Sequence, residues 1–217
     1  MTPRFESTLI PASPDVSFEL ALWSNGLHCV AGIDEAGRGA WAGPVAAAAV
    51  ILPQSADILI KLQGVRDSKQ LSASQRERLE PVIQETAIAC AVGFASNSEI
   101  DSLGILPATR LAMTRAIEQL VLQPEHLVID AMFLPEITIP QTALIKGDRR
   151  SLSIAAASIL AKTARDRWME SLATTDARYA FDRNKGYGTR AHQSALQEHG
   201  PCPEHRFSYS PVRTSKK

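Results

Sequence analysis

Apolar residues along this chain fall into short runs divided by charged and turn-forming stretches, and the length of each run separates strands from helices. Residues 30–34, Val-Ala-Gly-Ile-Asp, read as a strand that stops at a pair of acids. Residues 45–52 form a second strand-sized run closed by Pro53. Alanines at 46–49 leave a helix open on pattern alone, but Pro44 ahead and Val50-Ile51 within favour a strand. Residues 88–95 read as a third strand, and 127–130 and 143–145 as two shorter ones. Helical patterns cover 17–25, ended by Gly26, and 71–86, with Pro81 as a candidate break. Others cover 111–122, with Pro107 suited to the first turn, then 151–172, Ala-rich at its start and charged later, and 189–199. Residues 1–16 read as loose and 211–217 as a flexible tail. Three strands, then helices, then strand–helix alternation predict an α/β fold, a mixed sheet with helices on it.

Composition narrows the class. The chain has 217 residues, 45% of them hydrophobic, which suits one large domain with a packed core. Its cysteines, Cys29, Cys90 and Cys202, are odd in number and far apart, which argues against a disulfide framework and for a reducing compartment. No signal peptide opens the chain and no apolar stretch reaches about 18 residues. The expectation is a soluble, cytoplasmic protein with no membrane partner. A formal net charge of zero hides an asymmetry: residues 1–140 carry 9 Lys+Arg and 16 Asp+Glu, residues 141–217 carry 14 and 7. An acidic centre facing a basic surface would account for it, as would two ordinary solvated faces.

Three acids stand out by position. Asp34, Asp130 and Asp148 each directly follow an apolar run or its turn. Ligand sites gather at strand ends in open α/β sheets, and a buried carboxylate is costly unless paired or metal-bound. Any one of them alone is more often a cap or an ion-pair partner; the set at matching positions favours a shared cation. Oxygen ligands select Mg²⁺ or Mn²⁺ over zinc, and two such ions can activate water and stabilise a leaving oxygen in phosphodiester hydrolysis. Adjacent strand residues point to opposite faces, so Glu35 joins Asp34 only if the backbone turns after them, which the following glycines allow.

Other candidates are weaker. Cys202-Pro-Glu-His205 has the spacing of half a zinc site with no second half in view. His192 and His199 lie seven apart on one helix and read as surface histidines. Ser158, in an Ala-rich helix, lacks a nucleophile context and reads as packing.

The stretch GIDEAGRGAWAGP, residues 32–44, admits two readings. Gly37-Arg38-Gly39-Ala40-Trp41-Ala42 loosely fits a dinucleotide fingerprint, but acids precede the glycines and a strand rather than a helix follows. The alternative is a loop whose glycines let backbone groups approach a sugar or phosphate, with Arg38 adding charge.

The segments GIDEAGRG, AGPV, DSK, VIDA, KGD, SIAAASILAKTARDR, KGYGT and GPCPEHR occur in this order. Together they make the chain resemble bacterial ribonuclease HII, the type 2 ribonuclease H, over residues 28–212. The resemblance implies a ribonuclease H-like fold: a five-stranded mixed sheet flanked by helices, with a helical C-terminal part. On it, residues 1–27 would be an extension, 28–172 the catalytic core and 173–217 a substrate-binding segment with the tail. It implies an endonuclease acting on RNA–DNA hybrids and at single ribonucleotides in duplex DNA, cutting on the 5′ side to leave 3′-hydroxyl and 5′-phosphate ends. It further implies Mn²⁺ or Mg²⁺ held by Asp34, Glu35, Asp130 and Asp148. Gly37, Arg38 and Gly39 would read the ribose 2′-hydroxyl, which is what separates RNA from DNA at one position. Tyr187 would stack on the adjoining deoxyribose from an exposed loop position, and Ser68, Lys69 and Lys185 would meet phosphates, which position without reading sequence. Asp166, between Arg165 and Arg167, is expected in structural ion pairs. Departures from the family's usual residues are Ala40-Trp41 beside the loop, Ala131 after Asp130, and the His205-Arg206-Phe207-Ser208-Tyr209 ending. A monomer is the simplest expectation.

Overall fold

The computed structural model describes residues 10–215. Five strands form one sheet in the order β3-β2-β1-β4-β5: β1 Val30–Ala36, β2 Val45–Ile51, β3 Ala89–Ala95, β4 His126–Asp130 and β5 Gln141–Leu144. The first three are antiparallel neighbours, while β4 and β5 run parallel to β1, so the sheet is mixed. The run with helix-compatible alanines is strand β2, wholly buried between β1 and β3. Its small side chains let helices approach both faces.

On one face lie α1 (Ser17–Ser24), α3 (Ala73–Thr86) and the long α6 (Leu152–Thr175); on the other lies α5 (Ile105–Glu118). Two glycines mark the closest approaches. A Cβ on Gly32 would sit 2.3 Å from Ser153, and one on Gly93 would sit 2.3 Å from the Ala112 carbonyl. Helix α3 runs through Pro81 without a break, starting from a capping box between Ser72 and Gln75. Helix α5 has Pro107 in its first turn as expected but ends four residues before the expected Leu122, at Glu118. Ahead of the tail, three short helices among the described residues escape the pattern: α2 (Ile58–Lys61), α4 (Asn97–Leu103) and α7 (Phe181–Asn184). Two have four residues each, too few for a hydrophobic period to register.

The described residues near both ends pack into the core. Residues 1–9 of the expected loose opening, and 216–217 of the tail, lie outside the described range. Val16 and Trp23 pack into the core, and the fully buried Glu19 accepts hydrogen bonds from Ser151 and Ser153 at the start of α6. After α8 (Arg190–His199), the tail forms α9 (Ser210–Thr214), whose Val212 is buried beside Met169, Tyr179 and Phe181. No helix among the described residues is long and apolar enough to cross a membrane.

Candidate metal centre

Parallel pairing brings the strand-end acids together. Asp34 sits late in β1, Asp130 ends β4, and Asp148 lies in a one-turn 3-10 helix, Gly147–Arg149, after β5. One carboxylate oxygen from each lies within 4.8 Å of the others. Two tight turns set this convergence. Ala131 (φ +45°) and Lys146 (φ +55°) both adopt left-handed backbone. This explains why glycine suits the position after Asp130: alanine there carries a strain of about 1 kcal/mol. Gly147 N donates to Asp130 Oδ1 at 2.6 Å, and a Cβ on Gly147 would meet Ile154 of α6 at 2.7 Å, so the turn is held on both sides.

The centre is electrostatically frustrated. Burial, then repulsion by Glu35, Asp130 and Asp148, holds the Asp34 carboxyl well above the usual range. Burial also raises Asp130, against the Gly147 hydrogen bond, and burial with the Asp130 and Asp67 charges lifts Asp148 to about 6. Among the described residues, Lys69 is the cation that answers them closely, with Nζ 3.3 Å from Asp148 Oδ2. Burial works against its charge, but Asp34, Asp148 and Asp67 more than offset that and raise its pKa. Asp34 Oδ2 and Glu35 Oε2 are buried with no hydrogen-bond partner. Clustered buried carboxylate oxygens without donors are what a hard divalent cation satisfies, so the residues fit Mg²⁺ or Mn²⁺.

Glu35 is not part of the converging group. The strand does not stop at the acids: β1 runs on to Ala36, with Asp34 opposite Ala48 and Glu35 opposite Ala47, and Glu35 lies outside the group whose ligand atoms converge within 4.8 Å. Glu35 Oε1 instead pairs with Arg38 Nη1 at 3.1 Å, although its charge still raises Asp34 and Asp130. Asp67 was not singled out by sequence reasoning. It is buried, it accepts from Lys69 N, and its charge acts on both Asp130 and Asp148. Its signal was its place in DSK, next to two residues that were chosen.

Ser68 is buried, its amide donating to Ser158 Oγ at 3.1 Å, so Ser158 anchors the DSK turn. Lys185 Nζ is taken by Glu170 and the Asp182 carbonyl. Tyr187 is half-buried rather than exposed, with Arg165 5.4 Å and Lys162 5.7 Å from its ring centre. Asp166 makes ion pairs, but with Arg76 and Lys162 rather than its flanking arginines. Arg167 goes to Glu80, and Arg165 is fully buried on the carbonyls of Ala42, Pro44 and Lys185. The positive charge of the C-terminal third is therefore partly interior.

Gly37 is buried at φ +97°, and a Cβ there would fall 1.9 Å from Arg165 Nε. Its lack of a side chain serves Arg165. Gly39 faces open space, with nothing within 4 Å of its virtual Cβ. Trp41 joins this loop to KGYGT: its amide donates to Gly186 O at 2.8 Å and its indole covers Gly188.

His192 is a correction. It is fully buried, not on the surface, because α8 turns it onto His205. Cys202 N donates to His205 Nδ1, so His205 Nε2–H donates to His192 Nε2 (2.9 Å), and His192 Nδ1–H donates to Tyr187 O (3.0 Å). This order keeps both rings neutral. Burial, then His192, pushes His205 down to about 4. Cys202 N and His192 Nε2 take both ring nitrogens of His205, and among the described residues no group of three metal-ligand atoms includes Cys202 or His205. Among the described residues, the aspartate triad is the one group with converging metal-ligand atoms.

A family model described as Ribonuclease HII matches residues 31–212. The Ribonuclease HII of Roseiflexus castenholzii is 53% identical over 202 residues, covering 92% of this chain and 89% of its own. A chain of the PCNA:RNase HII complex from Archaeoglobus fulgidus superposes with a TM-score of 0.72 at 29% identity, over 87% of this chain and 97% of its own. Bst-RNase HIII in complex with Mn²⁺ gives a TM-score of 0.69 at 22% identity, over 90% of this chain and 71% of its own, a likeness of fold.

Proposed function

This chain belongs to the ribonuclease HII family of metal-dependent endoribonucleases acting on RNA–DNA hybrids, and from that premise we propose that it also cuts duplex DNA at single embedded ribonucleotides. The cut falls on the 5′ side of the ribonucleotide and leaves 3′-hydroxyl and 5′-phosphate ends. The observation that carries the reading is the converging aspartate triad, with Asp34 Oδ2 buried and without a donor, close to a glycine loop whose Arg38 and Gly39 are exposed.

Asp34, Asp130 and Asp148 would hold the divalent ions, Mg²⁺ or Mn²⁺, with Glu35 at their edge. A bound pair of such ions supplies an activated water and charge stabilisation for the departing 3′-oxygen. The remaining steps belong to the chain's own groups. Lys69 limits the negative charge that an incoming phosphate meets and is the exposed cation beside the scissile position. Gly39 permits backbone approach to a ribose, and Arg38 adds a charge next to it. Tyr187, supported from below by Arg165, offers a ring to the neighbouring sugar. Duplex binding rests on phosphate contacts and weakens with salt.

The test is incubation of a duplex carrying one ribonucleotide, beside an all-DNA control, with Mg²⁺ or Mn²⁺. A single cut 5′ of the ribonucleotide, with an extendable 3′-hydroxyl and no cut in the control, is expected. Equal cutting of both duplexes would point to a general ribonuclease H-fold nuclease, and no cut at the ribonucleotide would reject the reading.

A further inference from the structure

Arg206 is fully buried, and its four hydrogen bonds go to oxygens that carry no charge. Nε donates to Gly43 O (3.0 Å), Nη2 to Pro44 O (3.0 Å), and Nη1 to Arg38 O (2.9 Å) and Tyr209 Oη (3.1 Å). The Tyr209 hydroxyl in turn donates to Arg38 O at 2.7 Å, and the guanidinium lies 5.3 Å from the Tyr209 ring centre. A buried cation without a counter-charge is held in place by the geometry of its acceptors, and all three carbonyls lie between residues 38 and 44.

The Arg38 carbonyl therefore receives two donors, which uses both its lone pairs. The Gly37 carbonyl accepts from Ala40 N. Among the described residues, the amides of Gly37, Arg38 and Gly39 donate to no protein acceptor, and together with the Gly39 carbonyl they are the loop's unclaimed backbone groups. The Arg38 carbonyl and the Gly39 N–H belong to one planar trans peptide, in which they point in opposite directions. Pulling the carbonyl inward turns that N–H outward. Gly39 has no side chain and open space around it, so no packing of its own fixes this plane.

We propose that Arg206 and the Tyr209 hydroxyl are positioning residues for ribose recognition, setting the Arg38–Gly39 peptide plane so that its N–H faces the substrate. The proposal rests on the reading that residues 37–39 meet the ribose, and it adds what aims them. Neither residue touches substrate.

Tyr209→Phe keeps the ring and removes only the hydroxyl; Arg206→Lys keeps the charge but cannot span three carbonyls. Both are assayed on the single-ribonucleotide duplex for kcat and KM, on uncleaved all-DNA duplex for Kd, and by thermal unfolding. Tyr209→Phe is expected to lower kcat about fivefold, the weight of one net hydrogen bond, with Kd for all-DNA duplex within about twofold and folding intact. Arg206→Lys is expected to lower kcat further, again without a matching change in that Kd. A folded Tyr209→Phe with unchanged kcat, or with kcat and all-DNA Kd impaired in parallel, would overturn the proposal. Wild-type protein that does not cut at the ribonucleotide would instead remove the underlying reading, and that outcome shows in the wild-type assay alone.

Discussion

The aspartate centre and the loop scaffold beside it are both buried, both polar and both built on charges of one sign. In the first, three carboxylates converge with a single lysine to answer them, and Asp34 Oδ2 has no donor at all. In the second, Arg165 and Arg206 are interior cations without a carboxylate in contact, yet seven hydrogen bonds place them on carbonyls and one hydroxyl. Like charges can thus be buried in two ways. One leaves the valence open for an ion to close, and the other closes it with backbone dipoles and gains rigidity. The difference separates a centre that binds from a frame that aims it.

Replacing an open-valence acid should cost activity and add stability. Asp34→Asn is expected to lower cleavage by more than about a hundredfold, since even groups behind a metal ligand carry 10–100-fold. The same variant, free of divalent ions, should melt higher, by about 2–4 °C for each kcal/mol of repulsion relieved. Calorimetry beside a cleavage assay checks both; full activity, or a lower midpoint, would erase the contrast between the regions. In the closed frame the opposite holds. Gly37→Ala drives a methyl into Arg165 from a positive-φ position and should destabilise by about 2 kcal/mol or more, while Gly39→Ala should change stability by under about 0.5 kcal/mol. Equal losses in urea unfolding would show that Arg165 does not depend on Gly37.

The pH dependence separates the two regions as well, with opposite signs. Asp148, about 6 when folded against an ordinary 3.8, keeps a proton that the unfolded chain has released, so stability falls as pH rises through that window. His205, about 4 when folded against 6.5, refuses a proton that the unfolded chain takes, so stability falls as pH drops through its window. In denaturant titrations without divalent ions, Asp148→Asn should remove the first slope and His205→Gln the second. Unchanged slopes in both would mean that other groups govern the range.

How much of this was legible depended on range along the chain. Strand-end position and apolar run length are local, and they located β1 to β5 and picked out Asp34, Asp130 and Asp148 as a set. The family resemblance added Glu35, whose neighbour Arg38 claims one of its oxygens in a contact three residues away. The scaffold was illegible because its partners are backbone carbonyls, which carry no residue identity. Nothing in the sequence says that Arg206 meets Gly43 and Pro44, or that His192 turns inward to His205. The place of Trp41 is set by its contact with Gly188, more than a hundred residues on, which no local pattern encodes.

Glu19 gives the first helix a part in holding the centre. Its bond to Ser151 spans 132 residues of sequence, next to the turn that carries Asp148. Ordering a loop of that length costs chain entropy, which the buried contact helps offset. Asp34, Asp130 and Asp148 sit on three separate stretches of the chain, so a fragment that ends before Asp148 holds no complete centre.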